Sequence, residues 1–305
     1  TVPIKNLAEL IATFPADKIT LEVKENWLNI EHKQGRVKFP ATIADEFPVK
    51  ELFPSQKKWV GELSFPAPSL LGGLKKVVFA AATDESRPVL SGVFFQRVDQ
   101  GLQLVATDGY RLSVVNFPGK TDKLAQSLLV SAKALRELEK DVAGDKEVVC
   151  FVDPDGKQVF FKQDNLTLGS RLIEGEFPDF TKILPGQPTT TAVFAKDEMV
   201  QALRSAAIFA RENSNIIRLE INKKAVKVAA GAAQVGEGSF DLRGVEVKGE
   251  DLKIAFNFRF LLEALAVFED DQVIFNFSGG LAPVKLLSTK NSAFFHIIMP
   301  VKLQG

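Results

Sequence analysis

A chain of 305 residues, 46% hydrophobic and 25% charged, has the composition of an ordinary globular protein and length enough for two to three domains with their own cores. No apolar run reaches the ~18 residues of a membrane span, and no signal-peptide pattern opens the sequence. Its 38 basic residues are balanced by 38 acidic ones, so it lacks the positive excess of proteins that hold nucleic acid by electrostatic affinity; any grip on DNA is weak, local or not based on affinity.

From Thr1, "TVPIKNLAELIATFPADKITLEV" reads as a short strand, a small break, a helix, a charged turn and a strand. The same template returns as "LLVSAKALRELEKDVAGDKEVVCFV" from Leu128 and "KIAFNFRFLLEALAVFEDDQVIFNF" from Lys253. Val2, Val130 and Phe256 hold equivalent places, and Leu7, Leu135 and Leu261 follow five residues later. A fixed period near ~127 residues marks repeated domains.

A second template, strand, helix, loop, strand, interleaves with the first. It appears as "LSFPAPSLLGGLKKVVFAAATDESRPVLSGVFF" and "AVFAKDEMVQALRSAAIFARENSNIIRLEI", with Phe65 matching Phe194 and Leu74 matching Leu203. Met199, Ala202, Leu203, Ala206 and Ala207 recur at helical spacing, whereas "KQVFFKQ" and "AVKVAAGA" read as strands and "DPDGKQ" at 153–158 as a hairpin turn. Gly72-Gly73 interrupts the first of these helices at about 1 kcal/mol per residue relative to alanine, so either tertiary packing compensates or the helix is kinked.

Each full unit is thus an α+β domain of roughly 125 residues, two helices with two small antiparallel sheets. The chain holds two and a half: residues 1–57, 58–187 and 188–305, joined at the proline-bearing "ELFPSQKKW" and "LPGQPTT". The period implies roughly 65 further residues ahead of Thr1.

Several motifs do not develop into sites. "PGKT" at 118–121 lacks the glycine a phosphate loop needs, since Val114 stands there. His32 and His296 are far apart and without metal-ligand spacing, and the reading for both is ordinary strand residues. "EDDQ" at 269–272 is expected to be a solvated turn at a helix end. The one cysteine, Cys150 in "EVVCFV", excludes an internal disulfide framework and is expected as a buried, inert thiol of a cytoplasmic protein. No catalytic constellation, metal set or cofactor motif assembles, which disfavours a hydrolase or nucleotidyltransferase.

Four segments carry more than structure requires: "TDESRPVLSGVFF" at 83–95, "ATDGYRLSV" around the only tyrosine, "SRLIEGEFPDFTKILP" at 170–185, and the final "FFHIIMPVKLQG". In order and interval they resemble the bacterial DNA sliding clamp family, the beta subunits of DNA polymerase III, along essentially the whole chain. The resemblance implies repeated clamp domains arranged as an arc of a ring, with helices lining the hole and sheets outside. It also implies a non-catalytic processivity factor that encircles double-stranded DNA as a homodimer. A half domain preceding "TVPIKNL" belongs to the family pattern as well.

The resemblance further implies a hydrophobic cleft between the second and third domains. The cleft receives short peptides from the replicative polymerase, the clamp loader and repair proteins. Matching positions are Leu90, Thr107, Gly109, Tyr110, Arg111, Leu112, Pro178, Lys182 and Ile183, then Asn257, Phe260, Pro283, Ile297, Met299, Pro300, Val301, Lys302 and Leu303. Arg111 serves either the peptide or the joint between domains. DNA-facing candidates are Arg87 and Lys133 by alignment, and Lys75, Lys76, Arg204 and Arg259 by helix placement. Ring closure would bring Leu10, Phe14 and Phe39 of one subunit to Ile208 and Phe209 of another, unless Leu10 and Phe14 are simply the core face of their helix. The rival reading is a peptide-binding module of clamp fold that does not encircle DNA.

Overall fold

A computed structural model describes residues 1–42, 60–84, 86–99, 101–118, 126–223 and 225–302. The chain divides into two compact units, Thr1–Lys57 and Lys58–Gly305.

In the first unit, helix α1 (Ile4–Ala12) follows Pro3, and β1 (Thr20–Lys24), β2 (Trp27–His32) and β3 (Gly35–Pro40) form an antiparallel sheet in chain order. The alternation of "WLNIEH" turns Leu28, Ile30 and His32 to one buried face, and the Phe14 ring stacks on His32 at 4.6 Å. No residue of α1 is fully buried; Leu10, Phe14 and, on β3, Phe39 are half-buried.

Lys58–Gly305 executes one plan twice. In the first copy, β4 (Val60–Pro66) enters α2 (Ala67–Val77), followed by β5 (Gly92–Val98), β6 (Gly101–Thr107) and β7 (Arg111–Pro118). Then β8 (Leu128–Ser131) enters α3 (Ala132–Asp141), followed by β9 (Glu147–Val152), β10 (Gln158–Gln163) and β11 (Leu166–Arg171). The second copy runs β12 (Thr190–Ala195), α4 (Lys196–Ala210), β13 (Ile216–Ile221), β14 (Val226–Ala232), β15 (Gly236–Leu242) and a short β16 (Glu246–Gly249). It continues with β17 (Leu252–Asn257), α5 (Phe258–Val267), β18 (Gln272–Phe277), β19 (Val284–Ser288) and β20 (Phe294–Ile298).

Pairing within each copy is crosswise. The strand before the first helix pairs with the strand after the second, β4 with β9 and β12 with β18. The strand before the second helix pairs with the strand after the first, β8 with β5 and β17 with β13. The repeat-related Leu74 and Leu203, Leu135 and Leu261, and Phe65 and Phe194 are all buried in the same core, which is why the sequence period appears at these positions.

β20 lies antiparallel to β7, from Phe294 opposite Val115 to Ile298 opposite Arg111. Four strands of the first copy and five of the second thereby form one sheet, ordered β16-β12-β18-β19-β20-β7-β6-β5-β8. Because side chains alternate, Phe294 and Ile298 join the main core, whereas Phe295 and Ile297 join a smaller cluster on the opposite face with Val105, Leu112 and Val114.

The double glycine of α2 is settled by packing. The helix runs unbroken through both residues, and a Cβ on Gly73 would lie 2.1 Å from Cζ of Phe117, whereas one on Gly72 would meet nothing within 4 Å. Gly73 is the floor on which Phe117 rests; Gly72 is only an entropic weakness. Gly72→Ala should therefore raise stability by about 1 kcal/mol, and Gly73→Ala should lower it by about 1–3 kcal/mol. Urea midpoints of opposite sign would show this; two stabilising changes would refute it.

The turn after α5 corrects one expectation. Asp270 is not solvated but buried, accepting hydrogen bonds from Ser288 Oγ (2.6 Å), Thr289 Oγ1 (2.9 Å) and Lys290 N–H (3.0 Å). Burial alone would raise its carboxyl pKa, but these donors together hold it below the ordinary value. The carboxylate ties the turn after β19 to the end of α5. Neighbouring Glu269 pairs with Lys76 at 2.9 Å. Cys150 is buried, and burial pushes its thiol up to about 12, which leaves it without thiolate reactivity. Among the described residues, no helix is long and apolar enough to cross a membrane.

Candidate functional site at the joint of the two repeats

The "TDGYR" knot is the hairpin between β6 and β7. Gly109 sits at φ +92°, a conformation that favours glycine. Asp108 Oδ1 accepts the backbone N–H of Tyr110 (2.9 Å) and of Arg111 (3.1 Å), and Thr107 Oγ1 accepts Gly109 N–H and donates to Arg111 O. The turn is thus held by its own side chains, and Tyr110 is projected outward, 61% exposed.

Arg111 points the other way. Its Nε donates to Asp108 Oδ2 at 3.0 Å, Nη1 to Glu263 on α5 and Nη2 to Phe79 O at 2.9 Å. Its guanidinium lies over the rings of both Phe79 (5.2 Å) and Phe260 (4.7 Å). Phe79 belongs to the first copy, Phe260 and Glu263 to the second, so this geometry makes Arg111 a brace of the joint. Beside it, His296 is fully buried. Its Nδ1 lies 2.6 Å from Ser113 Oγ, its ring stacks on Phe79, and burial with the charge of Arg111 lowers its pKa to about 3. His296 is therefore neutral.

The end of the chain completes the joint. Met299 N–H donates to Tyr110 O (2.9 Å) and Val301 N–H to Ala255 O (2.8 Å). The Tyr110 and Phe260 rings face each other at 6.3 Å. Asn257 caps α5 through Arg259 N–H, and Pro283 precedes Val284, the partner of Ile298 in the sheet. On the opposite face, the connector after β11 drops Phe180 onto Val105, Leu112, Val114 and Ile297, and stacks Phe177 on Phe94 at 4.9 Å.

The candidates of the sequence therefore divide between the two faces of one sheet. Arg111 and Phe260 meet on the helix side; Leu112 and Ile297 are buried beneath the connector. Pro178, Lys182 and Ile183 are exposed along that connector, with Lys182 paired to Asp179 at 3.3 Å. Met299, Pro300 and Val301 are half-buried, Lys302 is exposed, and Leu303 lies outside the described residues. Leu90 is buried in the 3₁₀ turn Pro88–Leu90. Sequence reasoning passed over Leu184 and Leu281, both exposed large apolar residues, and over Phe177 and Phe180, which anchor the connector. The Phe-Pro-Asp-Phe spacing was the available signal for the last two.

The proposed cations are unequally placed. Lys75, Lys133, Arg204 and Arg259 are exposed on α2, α3, α4 and α5. Lys76 is turned inward against Glu269, with 14% of its side chain exposed. Arg87 donates to Asp108 O at 3.2 Å, beside the hairpin turn. Lys75, Lys76, Arg136 and Glu139 line a cavity of about 780 Å³ with residues of α5. Ile208 is 61% exposed on α4, and Phe209 is half-buried against the core. Among the described residues, no group of three or more His, Cys, Asp or Glu is placed to hold a metal ion.

Residues 66–179 match the family described as "DNA polymerase III beta subunit, central domain", and residues 181–302 match "DNA polymerase III beta subunit, C-terminal domain". The chain belongs to the DNA polymerase III beta subunit family. The beta sliding clamp of Synechococcus elongatus is 30% identical, over all of this chain and 82% of that relative. That of Bacillus subtilis is 26% identical over 97% of this chain and 78% of its own. The Thermotoga maritima beta subunit crystal structure aligns with a TM-score of 0.87 at 25% identity, covering 99% of this chain and 81% of that one. The B. subtilis clamp structure aligns at 0.90 and 24%, covering 99% and 80%. These likenesses show the repeated α+β clamp fold.

Proposed function

We propose that the joint around Tyr110 is the slot in which this clamp receives short hydrophobic peptides from the replicative polymerase, the clamp loader and repair proteins. As a family member, the chain is a DNA replication processivity factor rather than a catalyst. The carrying observation is the hairpin turn that presents Tyr110 beside Met299, while Arg111, under the same turn, holds the two copies together. Exposed Ile183 and Leu184 on the connector and Leu281 ahead of β19 add uncovered apolar surface for a peptide's aliphatic side chains. Two or three such side chains at ~1.5–3 kcal/mol each, less the cost of ordering, suit a micromolar site that exchanges partners.

The domains we assign are 58–187 as the second clamp domain and 188–305 as the third, with 1–57 as the C-terminal half of the first. Duplex DNA is held by topology in a cytoplasmic homodimer, with Lys75, Lys133, Arg204 and Arg259 making weak phosphate contacts. Arg87 contributes where its guanidinium is not occupied by the turn. Leu10, Phe14 and Phe39 of one subunit meet Ile208 and Phe209 of the next, in a head-to-tail contact that closes by a two-fold rotation. Protein loaded on closed circular duplex should survive gel filtration and be lost after a single cut in the circle. Equal retention on both would leave a peptide-binding module that does not encircle DNA. Tyr110→Ala should weaken a hydrophobic clamp-binding peptide by roughly tenfold; unchanged affinity would remove the slot.

A further inference from the structure

The registers of the nine-stranded sheet align one residue from each strand into a stripe across its outer face. From β16 to β8 it reads Glu246, Val193, Ile274, Leu287, Phe295, Val114, Val105, Phe94 and Leu129. Eight of the nine are apolar, on the face away from the helices. The two halves of the stripe differ in cover. Val114 and Val105 are 0% exposed beneath Phe180, and Phe94 carries Phe177. Phe295, Leu287, Ile274 and Val193 continue the same row but are only half-buried.

We infer that the uncovered half of this stripe docks an extended acidic and aromatic peptide segment of a partner protein. The connector is the internal precedent. Its "EGEFPDF" places two rings three residues apart, roughly 10 Å in extended chain, and these cover about two strand intervals of about 4.8 Å each. The open half spans three intervals, about 14 Å, room for a segment of the same spacing. It is continuous with the covered half, because Phe295 packs against the Phe180 cluster.

Charge selects the occupant. The neighbouring row, one step along each strand pair, runs Lys248, Thr191, Asn276, Lys285 and Ile297. Lys285 Nζ lies 4.3 Å from the Phe295 ring centre, and Lys248 is exposed. On the other side lie the amides of Asn116 and Gln103, already bonded to each other at 2.8 Å. Carboxylates flanking an aromatic ring would meet Lys285, the cation nearest the centre of the open half, while the ring lies on Leu287 and Ile274; at the far edge Lys248 is balanced by exposed Glu246.

The test is a methyl NMR titration of the full chain with the synthetic heptapeptide Glu-Gly-Glu-Phe-Pro-Asp-Phe and with a control peptide in which both Phe are Ser. Saturable shifts at Ile274, Leu287 and Val193 are expected with the first peptide only. Lys285→Glu should weaken binding roughly tenfold, and Leu287→Ser should remove it, both with the remaining methyl spectrum intact. No saturable shift, equal binding of the control, or shifts confined to Ile183, Leu184 and Leu112 would overturn the inference. The last of these places the peptide in the Tyr110 slot and leaves that assignment standing, whereas stripe binding occurs whether or not the slot takes peptides.

Discussion

Arg111→Ala is expected to destabilise Lys58–Gly305 by about 3–5 kcal/mol, the range for breaking a buried ion pair by removing one partner. Arg111 is 8% exposed and serves three acceptors from three elements, so its loss removes the side-chain donor from Phe79 O and from Oδ2 of Asp108, a carboxylate only 17% exposed whose Oδ1 keeps its backbone donors. It also removes the cation–ring contacts to Phe79 and Phe260. Glu263 is 49% exposed, so water would compensate it; Glu263→Gln should cost no more than about 1 kcal/mol. Arg111→Lys should not restore stability, because one ammonium cannot replace a planar fork facing several acceptors. Urea unfolding of the three variants decides the matter. A cost for Arg111→Ala no larger than that for Glu263→Gln would mean the joint does not depend on this side chain.

Acid should unfold the protein with a slope to which His296 contributes up to about 1.4 kcal/mol per pH unit. In the folded chain its pKa is lowered from 6.5 to about 3, by burial first and then by Arg111. Between those values the unfolded chain takes up a proton that the folded chain refuses. Stability is therefore highest above about pH 6.5 and falls as pH drops towards 3. His296→Gln, which does not titrate, should flatten that slope even if its absolute stability is lower. Carboxylates with lowered pKa, such as Asp270, add their own acid loss in both proteins, so the comparison is between slopes. Parallel slopes would show that His296 already titrates normally in the fold.

Much of this was legible before the fold. The repeat, the alternation of template halves and the equivalence of Leu74 with Leu203 and of Leu135 with Leu261 are periodic burial signals, and burial recurs wherever one plan is reused. The four over-specified segments likewise pointed to one family. The division of roles within "TDGYR" was not legible. Adjacent residues of a strand face opposite sides, but which side holds the helices depends on pairing with β20, about 180 residues away in sequence. Asp270 was misjudged for the same reason: its donors come from residues 288–290, at the far end of a two-strand hairpin that local pattern does not connect to it.

Composition and periodicity by themselves determined the class of fold, the repeat and the inert cysteine, and the resemblance of four short segments pointed to the family, because each rests on local spacing or on short motifs. Only the tertiary structure decided that Arg111 braces the joint, that His296 is buried neutral, that Gly73 seats Phe117, and that one half of an apolar stripe lies covered and the other open. Those outcomes depend on which distant strands become neighbours, and strand register carries no local signature.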